Sequence, residues 1–380
     1  MYDYSRSRRA TRALIHLENL KHNLEQIREI VGPDREICLA VKADAYGHGA
    51  VGISMAALKY GVSRLAVSNL DEGKELRQAG ITAPILLLSY PHEEEYEEIV
   101  ENRLEPLVGD EEYLQRLNLI VRDKGAAPLG IHIKIDTGMG RIGCPPEDAP
   151  FLARLADTSE GLTIAGICTH FPVGDSMEEE DIEFTEQQTL TLSSIKKEIL
   201  SMNIDPGLVH AANSGGILLH KNSHLDMVRL GISAYGYHPD SRMSRTEDLK
   251  PVMELKTAVS FIKTVHPGQT VSYGRTWQAE EQCRIASVPV GYADGYFRLL
   301  SGKSDFLING KRYPIAGRVC MDQLMINLGQ NRDIKIGDEV TVFGPDPEGP
   351  DAAELADLIG TIPYELTCAL TKRVPRIYVS

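Results

Sequence analysis

The six cysteines, Cys38, Cys144, Cys168, Cys283, Cys320 and Cys368, are scattered, and no two of them form a Cys-x-x-Cys pair. Neither a zinc site nor a disulfide framework is indicated, and reduced thiols in a cytoplasm are the simpler reading. Long apolar runs are missing too: nothing approaches the ~18 residues of a membrane-spanning helix. Arg6, Arg8 and Arg9 resemble the basic start of an export signal, but the apolar stretch after them, Ala13 to Leu17, is short and contains His16. Positive charge is in short supply, with 40 Lys and Arg against 54 Asp and Glu and a formal charge of −14. That balance argues against nucleic acid or an anionic membrane as the main partner, and leaves room for a local basic pocket that takes a small anion. No internal repeat and no low-complexity tract is present. The acidic clusters at 93–98 and 178–181 read as solvated surface.

Hydrophobic residues make up 42% of the 380 and charged residues 25%, enough to bury a substantial core. The length suits one large barrel with a smaller second domain. Residues 17–31, LENLKHNLEQIREIV, space their apolar positions as a helix does. After them come eight short apolar runs: ICLAVKA (37–43), RLAVS (64–68), PILLLS (84–89), LEPLV (104–108), GIHIKID (130–136), TIAGICTH (163–170), LVHAAN (208–213) and MVRLGI (227–232). Segments rich in helix formers separate them, such as LDEGKELRQAG (70–80) and FTEQQTLTLSSIKKEIL (184–200). Eight strands alternating with helices predict an α/β fold, a (β/α)8 barrel over residues 1–240. From 241 to 380 the texture changes to Val, Thr and Ile runs broken by Gly, Pro and Asn, which predicts a mainly antiparallel β domain with one helix at 352–360. The boundary falls in the aperiodic segment 238–250, and TRALIHL (11–17), with no place in the barrel, is expected to pair with the second domain.

Function in such a barrel belongs at the C-terminal ends of the strands. Lys42 follows the first run, Lys134 and Asp136 close the fifth, His170 closes the sixth, Asn213 and Ser214 follow the seventh, and Arg229 sits in the eighth. A buried polar network that stabilises the barrel accounts for any one of them, but less well for all of them at one mouth. Lys42 suits imine chemistry, because burial lowers an ammonium pKa and exposes the nucleophilic amine. Asn213-Ser214-Gly215-Gly216 has the composition of a phosphate cradle, and Gly231 allows similarly close approach. A lysine imine beside a phosphate cradle points to pyridoxal 5'-phosphate (PLP), although sugar-phosphate aldolases share both parts.

The stretch AVKADAYGHG (40–49) resembles the PLP-lysine motif of bacterial alanine racemases, and KIDTGMGRIG (134–143), CTHF (168–171), AANSGG (211–216), VRLGISAYG (228–236), VSYGRTW (271–277), VGYADGY (290–296), GRVCMDQ (317–323) and IPYE (362–365) follow in that family's order. THFPVGD and the second Gly pair of NSGG depart from the commoner pattern without removing a catalytic group. The resemblance implies that Lys42 holds PLP as an imine and acts as one of two acid/bases at the substrate α-carbon. Tyr273, supplied by the other subunit of a homodimer, is implied as the second, working on the opposite face. His170 is implied to link that tyrosine to Arg229, and Arg229 to face the pyridine nitrogen. An arginine gives up no proton there, so the ring stays a weak electron sink and side reactions such as transamination are few. Tyr46, Ser214, Gly231, Ile232 and Tyr364 correspond to phosphate-contacting positions. Arg141 corresponds to the arginine beside the substrate carboxylate, Met321 and Tyr292 to pocket residues from the partner, and Lys134 to a lysine carbamylated in many members.

The implied activity is interconversion of L- and D-alanine without a metal, in the cytoplasm, supplying D-alanine for peptidoglycan. Three alternatives stand beside it. A racemase of serine or a larger amino acid would keep the same catalytic pair and differ in pocket size. A barrel-type PLP decarboxylase has no use for the VSYG tyrosine. A non-catalytic PLP-binding module would leave the second domain, with Tyr273 and Met321, unexplained.

Overall fold

Each of the eight apolar runs forms a strand in a computed structural model of the chain, which describes residues 9–240, 242–243 and 247–380. Arg6 and Arg8, and residues 241 and 244–246 of the expected linker, lie outside the described residues. A first strand, β1 (Arg12–His16), precedes the eight, which are β2 (Glu36–Ala40), β3 (Arg64–Val67), β4 (Ile85–Leu87), β5 (Glu105–Val108), β6 (Leu129–Lys134), β7 (Leu162–Cys168), β8 (Leu208–His210) and β9 (Met227–Leu230). β2 to β9 close into a parallel barrel, with Cys38 of β2 opposite Arg64 of β3 on one side and Arg229 of β9 on the other. The two-residue period of a strand sorts the side chains. Ile37, Leu39, Leu65, Val67, Ile85 and Leu87 face outward and pack with the helices, whereas Cys38, Ala66, Leu86, Leu107, Cys168 and Met227 meet inside as a separate cluster. The inner cluster is small, and its compactness leaves room for polar side chains in the barrel interior.

The helix Leu17–Val31 buries Leu20, Leu24, Ile27 and Val31 on one stripe. Asn23, fully buried on that stripe, donates to the carbonyls of Ala234 and Lys250 and accepts from the Lys250 N–H, which fastens the helix to the chain leaving the barrel. No helix among the described residues is long and apolar enough to cross a membrane.

The remaining strands are β10 (Met253–Ala258), β11 (Phe261–Val265), β12 (Thr270–Val271), β13 (Trp277–Gln278), β14 (Cys283–Val288), β15 (Asp305–Ile308), β16 (Lys311–Pro314), β17 (Leu324–Gly329), β18 (Glu339–Phe343) and β19 (Arg376–Val379). A six-stranded sheet runs β16-β15-β18-β10-β1-β19, a three-stranded one β11-β14-β17, and β12 pairs with β13. β1 lies inside the larger sheet, antiparallel to β10 and parallel to β19, so the chain starts in one unit and continues into the other. Helix Ala352–Ile359 is capped by the Asp351 carboxylate, which accepts from the Glu354 N–H at 2.8 Å. A second helix, Pro363–Cys368, follows where only one was expected. Its six residues show too little periodicity to read from sequence, and its leading proline is a helix-start residue as much as a strand breaker.

That second helix and β19 lean on the loop after β2. Arg376 Nε donates to the Gly47 carbonyl at 2.9 Å, and the Tyr378 hydroxyl donates to the Gly49 carbonyl at 3.2 Å. Gly47 has φ +83°, and a Cβ there would penetrate the Thr367 carbonyl. Gly47→Ala is therefore expected to cost about 3 kcal/mol, overpacking added to left-handed strain. Gly80→Ala, at φ +85° with open space around it, should cost about 1 kcal/mol. Urea denaturation midpoints of the two variants check this, and equal losses would contradict the packing argument.

Candidate active site

Beyond β2 the chain makes an unusual turn. Ala43, Asp44, Ala45 and Tyr46 all have φ between 52° and 55°, a left-handed turn without a glycine. Each such residue costs roughly 1–2 kcal/mol, so the surroundings must hold the turn in place. Glu72 takes the Ala43 N–H and the Ser68 N–H on its two carboxylate oxygens, both at 2.7 Å. Asp44 Oδ1 accepts from the Ala50 N–H, and His48 Nδ1 donates to the carbonyls of Ala45 and Tyr46. The effect is to send Lys42 into the barrel mouth and to fold Tyr46 back beneath it, where its ring packs on Tyr235 and Tyr364 at centroid distances of 4.9 and 5.7 Å.

Lys42 opens into a cavity of about 610 Å³ at the C-terminal ends of the strands. The structure brings Lys42, Tyr46, Lys134, Arg141, His170, Ser214, Arg229, Gly231, Ile232 and Tyr364 together around it. Four cationic side chains line it against one acid, Asp175, on a chain whose net charge is −14. Burial pulls the Lys42 ammonium below the usual lysine range, and the nearby Arg141 pulls it further. Lys134, 3% exposed, is lowered in the same way and donates to the Ile135 carbonyl at 2.8 Å. The site thus favours free amines and anionic ligands together.

Arg229 reaches the cavity floor with its charge buried and, among the described residues, no carboxylate in contact. Its Nη1 donates to His210 Nδ1 at 2.6 Å and to the His210 carbonyl, and its Nη2 donates to the carbonyls of Thr169 and Ala211 and to His170 Nδ1 at 3.1 Å. A guanidinium only donates, so His170 must accept on Nδ1 and carry its proton on Nε2. Burial, then the charge of Arg229, holds His170 well below its ordinary range, and it is neutral at pH 7.

Opposite Lys42, the Ser214 hydroxyl accepts from the Gly231 N–H at 3.0 Å. A Cβ on Gly231 would stand 3.1 Å from the Tyr46 hydroxyl and 3.4 Å from that of Ser214, so a side chain here would fill the space between them. The cradle is smaller than the run Asn213–Gly216 suggested, because Asn213 Oδ1 takes the Gly216 N–H and Gly215 packs on the backbone of Gly174 and Asp175. Asp136 accepts from the N–H groups of Gly138 and Gly140 at 3.0 Å and shapes the loop that carries Arg141, so its part is structural.

Tyr273, Tyr292 and Met321 do not line the cavity. They lie in the second domain, 71%, 41% and 52% exposed. Their segments are bonded into one patch: Tyr292 N–H donates to the Cys320 carbonyl, Ala293 N–H to the Met321 carbonyl, and the Ser272 hydroxyl to the Arg318 carbonyl. Beneath the patch Asp294, fully buried, accepts from the Gly291 N–H and pairs with Arg9 at 2.6 Å. Sequence reasoning passed over Glu72, Asp175, Glu105, His132 and His210. For the last three the signal was present, since each lies an even number of residues from a neighbour that faces into the barrel.

Comparison with known proteins places these features in a family. The family model described as alanine racemase, N-terminal domain, matches residues 15–239, and the one described as alanine racemase, C-terminal domain, matches residues 252–378. An alanine racemase of Treponema denticola is 48% identical over 375 residues, 98% of each chain, and one of Treponema pallidum 44% identical over 97% of this chain and 98% of its own. The solved alanine racemase of Clostridium difficile superposes with a TM-score of 0.91 at 37% identity, covering 97% of this chain and 96% of the other. That of Bacillus anthracis, with bound L-Ala-P, gives 0.89 at 35% over 98% and 96%.

The buried histidines set a pH dependence of stability. Burial lowers His48 to about 4, and it also lowers His132, His170 and His210 below the ordinary imidazole value. Unfolded, each takes up a proton near pH 6.5, whereas in the folded protein it does so only at lower pH, so between the two values the unfolded state holds more protons and stability falls on acidification. Each contributes up to about 1.4 kcal/mol per pH unit in that window. Tm is expected to change little between pH 7.5 and 7 and to fall increasingly steeply as pH is lowered through about 6.5 towards 5, and a flat profile across that window would contradict neutral buried imidazoles.

Proposed function

The chain belongs to the alanine racemase family, and from that premise we propose that it interconverts L- and D-alanine as a cytoplasmic homodimer dependent on PLP, supplying D-alanine for peptidoglycan. The observation that carries this reading is the make-up of the cavity: the guanidinium groups of Arg141 and Arg229 and the amines of Lys42 and Lys134 converge where Asp175 is the one acidic lining residue among the described residues. Such a site suits a ligand set with a phosphate and a carboxylate. The residues fit PLP in two further respects. The amine of Lys42 is held below its ordinary pKa, and the space a Cβ of Gly231 would fill lies between two hydroxyls. Ser214, Tyr46 and Tyr364, with the backbone at Gly231 and Ile232, would hold the phosphate. Arg229 would face the ring nitrogen. When bound, PLP supplies an electrophilic carbonyl for amines and a conjugated ring that draws electron density from the α-carbon.

The chain's own groups then divide the work. Lys42 takes or returns the α-proton on one face, and Tyr273 of the partner subunit does so on the other, so that loss from one side and return on the other inverts the centre. His170 has its Nδ1 occupied by Arg229, which leaves its Nε2–H to donate to that tyrosine's oxygen and favour its deprotonated form. Arg141 makes no hydrogen bond or ion pair among the described residues and is assigned the substrate carboxylate. Lys134, driven towards its neutral amine, is the position proposed for a carbamate, whose negative charge would orient Arg141. Tyr292 and Met321 from the partner would close the pocket around a small side chain, their exposed patch being covered on dimerisation.

Sharing of the site between subunits gives the test. Lys42→Ala and Tyr273→Phe homodimers should each lose about a thousandfold in rate, and Lys42→Ala should also lose the borohydride-trapped cofactor–lysine adduct. Mixing the two under conditions of subunit exchange should restore about one quarter of wild-type activity, since one site of each hybrid is intact. Absence of rescue with exchange demonstrated would place both groups of a site in one chain, and an adduct retained in Lys42→Ala would overturn the assignment of the lysine.

A further inference from the structure

Below the cavity floor, a line of charged and polar side chains crosses the barrel interior. Arg229 Nη1 donates to His210 Nδ1 at 2.6 Å, His210 Nε2 lies 2.9 Å from His132 Nδ1, and His132 Nε2 lies 3.2 Å from Glu105 Oε2. Glu105 in turn pairs with Arg64 at 2.6 Å, and Arg64 with Glu36 at 2.8 Å. The members come from β9, β8, β6, β5, β3 and β2, so the line runs around the interior from the pocket to the opposite end, where Glu105 borders a second cavity with Arg77 and Arg103. His132 and His210 are fully buried, and Arg229 is buried as well.

Hydrogen positions along this line follow from its ends. Arg229 can only donate, so His210 accepts on Nδ1 and must carry its proton on Nε2. That proton points at His132 Nδ1, which therefore accepts, and the His132 proton sits on Nε2 facing Glu105. Burial keeps both imidazoles neutral, and although burial alone would raise the Glu105 carboxyl, the hydrogen bond from His132 and the charge of Arg64 hold it below its ordinary value. One arrangement satisfies every donor and acceptor, with a cation at one end and an anion at the other. Barrel interiors are ordinarily filled by layers of branched apolar residues, and apolar packing would serve stability as well or better.

We propose that His210, His132 and Glu105 are positioning residues for the reaction: they fix the plane of the Arg229 guanidinium and balance its charge from a distance, keeping a carboxylate off the guanidinium itself. The Nη2 edge of Arg229 is thereby left for Thr169, Ala211 and His170, and the donor direction of His170 is set. The inference rests on the reading of the cavity as a racemase active site.

Two variants cut the line at different points. Glu105→Gln keeps an acceptor for His132 and removes the charge, whereas His210→Asn keeps an acceptor for Arg229 on a side chain too short to place its amide N–H where His210 Nε2 meets His132. Each is expected to lower kcat for alanine about tenfold with KM changed less than twofold, through loss of alignment at the guanidinium. In an Arg229→Lys background neither should lower kcat further, because both act through Arg229. Independently of activity, 15N spectra of histidine-labelled wild type should show His132 and His210 as neutral Nε2–H tautomers. An Nδ1–H tautomer or an imidazolium at either position overturns the relay. So does an unaltered kcat in both variants, or a loss additive with Arg229→Lys, in a wild type that racemises alanine. A wild type without racemase activity overturns instead the reading of the cavity on which the proposed role depends.

Discussion

A guanidinium buried inside a parallel barrel, with no carboxylate among the described residues in contact with it, is the constraint around which this molecule is arranged. Placing a cation there is costly unless every N–H finds an acceptor. Arg229 is met by three backbone carbonyls, from Thr169, His210 and Ala211, and by two imidazole nitrogens. Those acceptors have to be at strand ends, which fixes how β7 and β8 terminate, and the imidazoles have to be neutral, which their burial ensures. A carboxylate at the same place would have made a simpler ion pair. It would also, under the proposed function, offer a cofactor ring a partner able to share a proton, and the donor-only character of arginine would withhold that.

The second constraint lies at Lys42. A lysine leaving a strand end in an ordinary helix would be carried away from the barrel axis, and the left-handed turn at 43–46 returns the chain towards the mouth instead. Its strain is opposed by Glu72 from the barrel and by helix Pro363–Cys368 and β19 from the second domain. The second domain thus has two duties in one chain: it braces the lysine loop of its own barrel, and it holds Tyr273, Tyr292 and Met321 on a bonded, exposed patch. A dimer that matches the patch of one chain to the mouth of another uses both.

Much of this was legible in the sequence, and for physical reasons. Strands of a parallel barrel are apolar on both faces, so ICLAVKA or PILLLS stands out as a run, and a lysine directly after such a run asks for explanation. Arg229 was visible for the same reason. The left-handed turn was not, because Ala-Asp-Ala-Tyr carries no glycine and its conformation is imposed by contacts with residues far along the chain. His132 and His210 were passed over because each stands inside an apolar run and reads as an interruption of it; only the two-residue period, which sets them beside Lys134 and Leu208 on the inner face, distinguishes them. Glu105 is the first residue of its strand, where polar residues are ordinary.

The claim that a donor-only cation governs a cavity built for proton exchange at an α-carbon is tested most directly by one reaction. L-alanine is incubated with the PLP-loaded enzyme in D2O, and optical rotation, α-deuterium content, total alanine and pyruvate are followed together. The account predicts that rotation decays to zero at constant total alanine, with deuterium entering the α-position of the inverted product and no pyruvate accumulating. Rotation lost only as alanine is consumed and pyruvate appears, or not lost at all, would contradict it.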